Sequence, residues 1–303
     1  MTSVSASPAP STSLSRALPY LALLGSIASF CVGTSFGKSL FPLVGAQGTV
    51  SYRVGFAALI LLAIWRPWRQ TISRADLLAT MRYGAVLGLM NFCFYMALRS
   101  IPLGLAIAIE FLGPLTVSLL HARRLAHIAM VALAAAGLAL LLPLRQMNHA
   151  LDWTGVGFAL CAGVFWGLYI VFGKKTSHLP GGQTVALGMA TAALVVVPIG
   201  VHDVGLTLLS PSLMLSGVVV AVLSSALPYS LEMIALKTIP ENRFGILLSV
   251  EPAAGALAGA LILGETLTPL QLLAIALVVA ASVGSVLMGD KVSEHAHGVG
   301  DPL

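Results

Sequence analysis

The stretch from Ile239 to Pro269, IPENRFGILLSVEPAAGALAGALILGETLTP, places an acid and a proline, Glu251 and Pro252, near the middle of an apolar run long enough to cross a bilayer. A carboxylate at bilayer depth costs about 2.5 to 3.5 kcal/mol on insertion scales, so such a residue faces a cavity or a partner and not lipid. Proline has no N–H, which releases the carbonyl of Leu248 from the helical ladder and leaves it open to water, a side chain or a ligand. Acid and broken ladder coincide here, which makes Glu251 a functional candidate. The competing reading is a paired structural acid beside a tolerated kink.

The rest of the chain has the same character. Of its 303 residues 58% are hydrophobic and 9% charged, with a mean hydropathy of +0.96, against about 25% charged in an ordinary soluble domain. This composition specifies a polytopic all-α membrane protein. Cys31, Cys93 and Cys161 fall in separate apolar runs without metal-ligand spacing, so neither a disulfide framework nor a metal site is expected. His121, His127 and His202 fall in connecting segments, and His295 with His297 in the tail is a weak metal alternative. The net charge of +5 is spread singly and in pairs between apolar spans, which speaks for topology and against nucleic acid.

Windows of about 20 apolar residues predict ten transmembrane helices near 17–36, 46–65, 81–98, 103–121, 126–144, 154–173, 182–201, 213–236, 243–263 and 269–288. Residues 1–16, rich in Ser and Pro, read as a disordered tail, and 290–303 as a second tail. Arg16, Arg66, Arg69, Arg74, Arg82, Arg123, Arg124, Lys174, Lys175, Lys237, Arg243 and Lys291 lie on one side, and Lys38, Arg99 and Arg145 on the other. Twelve against three puts both termini in the cytoplasm by the positive-inside rule.

The chain also repeats itself. ALRSIP at 97–102 returns as ALKTIP at 235–240, Phe36-Gly37-Lys38 as Phe172-Gly173-Lys174, and Glu110 falls opposite Glu251, at offsets of 138, 136 and 141. Each copy, 17–149 and 150–289, holds five spans. An odd number turns the second copy upside down, the inverted-repeat pattern of secondary transporters with a site near the midplane.

Glu110 sits in AIEFLGPL, where Pro114 leaves the carbonyl of Glu110 itself without a helical donor. Glu232 follows Pro228 and lies five residues before Lys237, close enough to the cytoplasmic end to reach headgroups. Arg53 is the basic residue well inside a span. It either neutralises a buried acid or holds a substrate carboxylate. Asn91, Tyr95, Trp166, Tyr169, Ser224, Ser225 and Tyr229 could line the same cavity, or serve only in packing. Gly33 to Ser39, GTSFGKS, has three residues between its glycines where a P-loop needs four, so nucleotide binding is excluded. Gly33 and Gly37, Gly163 and Gly167, and Gly255 and Gly259 read as close helix contacts. Neither HExxH nor GxSxG occurs, and no enzyme or cofactor is expected.

With GETLTPLQLLA at 264–274 opening the last helix, the pattern resembles the EamA-type branch of the drug/metabolite transporter superfamily. KSLFPLVGA (38–46), IPLG (101–104), EFLGPL (110–115), ALPYSLEMIAL (226–236) and EPA (251–253) are similar to its threonine and homoserine exporters. The likeness covers about 17–289. It implies export of small amino acids across the bacterial inner membrane against an inward proton gradient, with substrate held between the halves. Glu110 and Glu251 stand where that family keeps its acids. The first half departs from the pattern, with His121-Ala122-Arg123-Arg124 where the second has Gly264-Glu265. The expected partners are an amino acid, protons and the lipid bilayer, and a homo-oligomer is compatible with the pattern. Alternatives are a broad-specificity drug or metabolite exporter and, in another class, a non-transporting membrane scaffold.

Overall fold

A chain with so little polarity must satisfy its backbone internally, and helices do that segment by segment. The computed structural model describes residues 13–120, 129–130, 132–134, 136–137, 140, 152–236, 239 and 247–297, among which there is no strand. In chain order the helices are α1 (Ser13–Ser39), α2 (Phe41–Trp65), α3 (Arg74–Ala97), α4 (Leu103–Glu110), α5 (Leu112–Leu120), α6 (Trp153–Lys175), α7 (Gly181–Val204), α8 (Pro211–Ala221), α9 (Leu227–Leu236), α10 (Glu251–Leu263) and α11 (Pro269–His297). A π turn at Val222–Ala226 joins α8 to α9. Residues 1–12 of the first tail, most of the fifth predicted span, and Arg123, Arg124, Arg145, Lys237 and Arg243 of the charge count lie outside the described residues.

Six helices among the described residues are long and apolar enough to cross a membrane, and the shorter apolar helices are Leu103–Val117, Glu251–Leu263 and Pro269–Ala281. Large apolar side chains such as Leu59, Val164, Leu194, Leu215 and Leu261 stand exposed. On a soluble protein so much exposed apolar surface would drive aggregation; on a multi-pass membrane protein it meets lipid. Helix starts carry their own signals. Ser73 accepts the N–H of Asp76 at 3.0 Å, and the Asp152 carboxylate accepts that of Thr154 at 3.0 Å. Thr268 and Gln271 cap α11 reciprocally, at 3.2 and 2.9 Å, with Pro269 in the first turn.

Two of the expected continuous spans are broken. The run expected over 103–121 divides at Phe111 into α4 and α5. In the run expected over 243–263, Ser249 and Val250 form a turn and α10 begins at Glu251. Glu251 and Pro252 are therefore not inside one helix but at the start of one. Pro252 sits in the first turn, where a missing N–H removes no intrahelical bond.

The helices pack across the two halves of the sequence. α2 lies along α7, α3 along α6 and α7, α1 along α9 and the π turn, and α4 along α10. Small residues set the closest approaches. A Cβ on Gly33 would fall 2.5 Å from the Ser224 nitrogen, one on Gly163 2.8 Å from the Glu110 carbonyl, and one on Gly255 2.5 Å from Ile107 Cδ1. Gly33→Ala is expected to destabilise the protein by about 1 to 3 kcal/mol, since the obstacle is backbone and cannot rotate away. Gly157→Ala, where a Cβ would meet nothing within 4 Å, is the neutral control. Thermal unfolding in detergent compares the two.

Candidate functional site

The site is built around Arg53, which α2 holds at 3% exposure. Pro228 lacks the N–H that would bond the carbonyl four residues earlier, that of Ser224. Arg53 takes over that carbonyl: Nη2 donates to Ser224 O at 3.1 Å and Nε to Ser225 Oγ at 3.0 Å. The guanidinium carbon lies 5.2 Å from the Phe30 ring centre and 5.3 Å from that of Tyr95, both within cation–π range. None of the ion pairs among the described residues involves Arg53. Its third nitrogen, Nη1, is buried without a hydrogen-bond partner, as is the Tyr95 hydroxyl. Each such buried donor carries the cost of desolvation unrepaid.

Glu110 ends α4 and Glu251 begins α10, at 5% and 9% exposure. The two half-helices pack together, Gly104 against Ala256 and Gly255 against Ile107. The acids interact electrostatically with Arg53, and Glu110 also with Glu251. The structure thus brings Arg53, Glu110 and Glu251 into one electrostatic neighbourhood. Cys31 of α1 points its thiol at the Glu251 carbonyl, 4.0 Å away. The carbonyl oxygen of Glu110, four residues before Pro114, lies against the backbone of Gly163.

The other predicted residues divide. Glu232 accepts from Ser26 Oγ at 3.2 Å, turned toward α1, and interacts electrostatically with Glu251. Tyr169 accepts a hydrogen bond from Tyr83 at 3.0 Å, and Tyr229 is within electrostatic reach of Tyr169, Glu232 and Arg53. Trp166 stands edge-on to Phe111, centroids 5.2 Å apart, beside the break between α4 and α5. Asn91 donates back to its own helix, to Leu87 O at 2.8 Å, and Ser224 Oγ to Val220 O at 2.6 Å. Those two groups are engaged in helix structure. Sequence reasoning missed Ser26, Phe30, Cys31 and Tyr83, whose small or apolar character gives no signal in a chain of this composition. It also treated Lys38 and Glu265 as topology and family markers only.

Comparisons with known proteins agree with this architecture. The model of the EamA-like transporter family matches residues 153–287. The chain is 47% identical over 277 residues to the threonine/homoserine exporter RhtA of Escherichia coli K12, covering 91% of this chain and 94% of that protein. It is 47% identical over 270 residues to the protein of the same name from Salmonella typhimurium LT2, covering 89% and 92%. A solved structure described only as "Crystal structure of protein" superposes with a TM-score of 0.54 at 20% identity, over 92% of this chain and 99% of the other, and so shares the fold. With similarity of this order over 91% of its length, the chain belongs to the EamA-like transporter family.

Proposed function

We propose that the protein exports threonine and homoserine across the bacterial inner membrane by proton antiport, through alternating access between two inverted five-helix repeats. The relatives' names motivate the substrates. The packing supports the repeat. The first helix of each half lies on the third of the other (α1 on α9, α6 on α3), while second pairs with second (α2, α7) and fourth with fourth (α4, α10). A two-fold relation between halves produces this pattern. The distribution of Lys and Arg supports cytoplasmic termini.

One observation carries the mechanism: Arg53, with two buried acids in its electrostatic reach, has an unpartnered Nη1 and lies by the Tyr95 ring, whose buried hydroxyl is unpartnered too. A zwitterionic amino acid fits such a site. Its carboxylate completes the valences of Arg53 and Tyr95, and its ammonium pairs with Glu251 and Glu110. Protonation of these acids from the outer side removes their charge and releases the ammonium. The acids then return to the cytoplasmic side, lose the proton there and rebind. Neither substrate pole stays buried without a partner.

Efflux of preloaded labelled homoserine and threonine from proteoliposomes of checked orientation, with and without an imposed pH gradient, tests this reading. Gradient-driven efflux competed by amino acids of similar size is the expected result. No efflux above empty liposomes, from folded protein, would reject it. The rings of Phe30, Phe111, Trp166 and Tyr169 around the site favour a second reading as a broad exporter, and competition by structurally unrelated compounds would support that one. Within the first reading, Tyr95→Phe removes one neutral donor. It is expected to raise the KM for homoserine about 3- to 10-fold, the worth of one ordinary hydrogen bond, with thermal stability unchanged or improved.

A further inference from the structure

Three segments converge on one ion pair, one residue along from Gly37, which lies against the Tyr95 hydroxyl. Lys38 at the end of α1 donates to Glu265 Oε1 at 2.6 Å and to the Ile101 carbonyl at 3.0 Å. The other carboxylate oxygen of Glu265 accepts the N–H of Leu103 at 2.9 Å, where Pro102 leaves α4 without a side-chain cap. Among the described residues this is the one ion pair in which neither partner is His, and both side chains are mostly shielded, at 20% and 14% exposure. Both α4 and α10 carry an acid at one end, Glu110 and Glu251, and meet this pair at the other. α1 links the same places, through Cys31 against the Glu251 carbonyl and Lys38 in the pair. Lys174 of the second half aligns with Lys38 of the first, but the first half has Arg123-Arg124 where the second has Gly264-Glu265, so the sequence lacks an acid there for a matching pair at the opposite end.

We propose that Lys38 and Glu265 are positioning residues that latch the outer end of the transport path shut. While the pair is closed, α1, α4 and α10 are pinned together and the site opens only to the cytoplasm. Substrate release requires the pair to part, which frees both acid-bearing half-helices at once. The assignment of this end to the outer side rests on the transport reading and the distribution of Lys and Arg. The step itself is a separation of charges without covalent chemistry.

Cys31, 1% exposed beside the Glu251 backbone, is a built-in reporter. The test uses the full chain with Cys93→Ala and Cys161→Ala in proteoliposomes, labelled from either face with a membrane-impermeant cationic methanethiosulfonate. Glu265→Gln and Lys38→Met are expected to raise the rate of Cys31 labelling from outside about tenfold and to lower it from inside. Unchanged outer labelling overturns the proposal, and so does a rise on both faces, which signifies a loosened fold. A second arm combines Lys38→Cys and Glu265→Cys in a chain with all native cysteines replaced by Ala. Bridging them with a short bismaleimide is expected to abolish homoserine efflux, while each single-Cys protein treated alike keeps it. Continued efflux from the bridged protein overturns the latch. The labelling arm needs no substrate, so a failed export assay on the parent protein rejects the substrate assignment separately.

Discussion

Replacing Glu251 by Gln is expected to lower pH-gradient-driven homoserine efflux about 10- to 100-fold, the worth of one charge-assisted hydrogen bond of roughly 1.5 to 3 kcal/mol, and to abolish the dependence of the residual rate on the gradient. The substitution keeps the shape and removes the charge. Glu251 is 9% exposed at the first position of α10, where the N–H groups of the first turn have no intrahelical acceptor. Its electrostatic neighbours are Glu232 and Arg53, and Glu110 feels it in turn. If Glu251 carries the coupled proton, Gln mimics the protonated acid permanently, and exchange of substrate across the membrane without a gradient is affected less than gradient-driven efflux. Glu110→Gln is the paired measurement. A larger loss of coupling in Glu110→Gln than in Glu251→Gln would exchange their roles, and wild-type rate and pH dependence in both would remove the acids from the mechanism.

Arg53→Lys is expected to abolish measurable efflux while leaving a folded protein, and Arg53→Ala to fail on both counts. Lysine keeps the charge but is a point donor on a flexible stem, unable to hold Ser225 Oγ, Ser224 O and a third acceptor in one plane as the guanidinium does. Alanine removes the side-chain donor that the Ser224 carbonyl has in place of the N–H missing at Pro228. An unsatisfied buried acceptor costs about 1 to 3 kcal/mol. The lost contact with the Phe30 and Tyr95 rings adds roughly 0.5 to 2 kcal/mol. Thermal unfolding in detergent and efflux measured side by side separate the two effects. A stable Arg53→Lys protein that transports at the wild-type rate would mean that the arginine serves only to hold α2 against the π turn.

Much of this was readable one residue at a time. An acid or arginine in a span stands out because the background is apolar, so Arg53, Glu110, Glu232 and Glu251 were identifiable before any contact was known. The tyrosines and serines were identifiable only as a pool. Asn91 and Ser224 spend side-chain hydrogen bonds on their own helices, whereas Tyr95 has an open valence, and nothing in their local sequence distinguishes them. Pro228 is the instructive case. The proline announces that a carbonyl has been freed, and only the packing of α2 against the π turn reveals that Arg53 fills it. The breaks at Phe111 and before Glu251 were half legible, since a proline marks a disturbance without saying whether a helix bends or stops.

By itself the sequence determined the membrane class, the positions of most spans and the rare ionisable residues inside them. These follow from transfer free energies that act on each residue separately, and a bilayer reads them as a linear pattern. The tertiary structure decided which of those residues meet. Arg53 faces serines and rings instead of a carboxylate, the two acids sit at the ends of half-helices, and Lys38 reaches Glu265 across 227 positions of chain. Such pairings depend on helix rotation and on close approach at glycines such as Gly33 and Gly163, which are set by shape between distant segments and leave no mark in the hydropathy of either one.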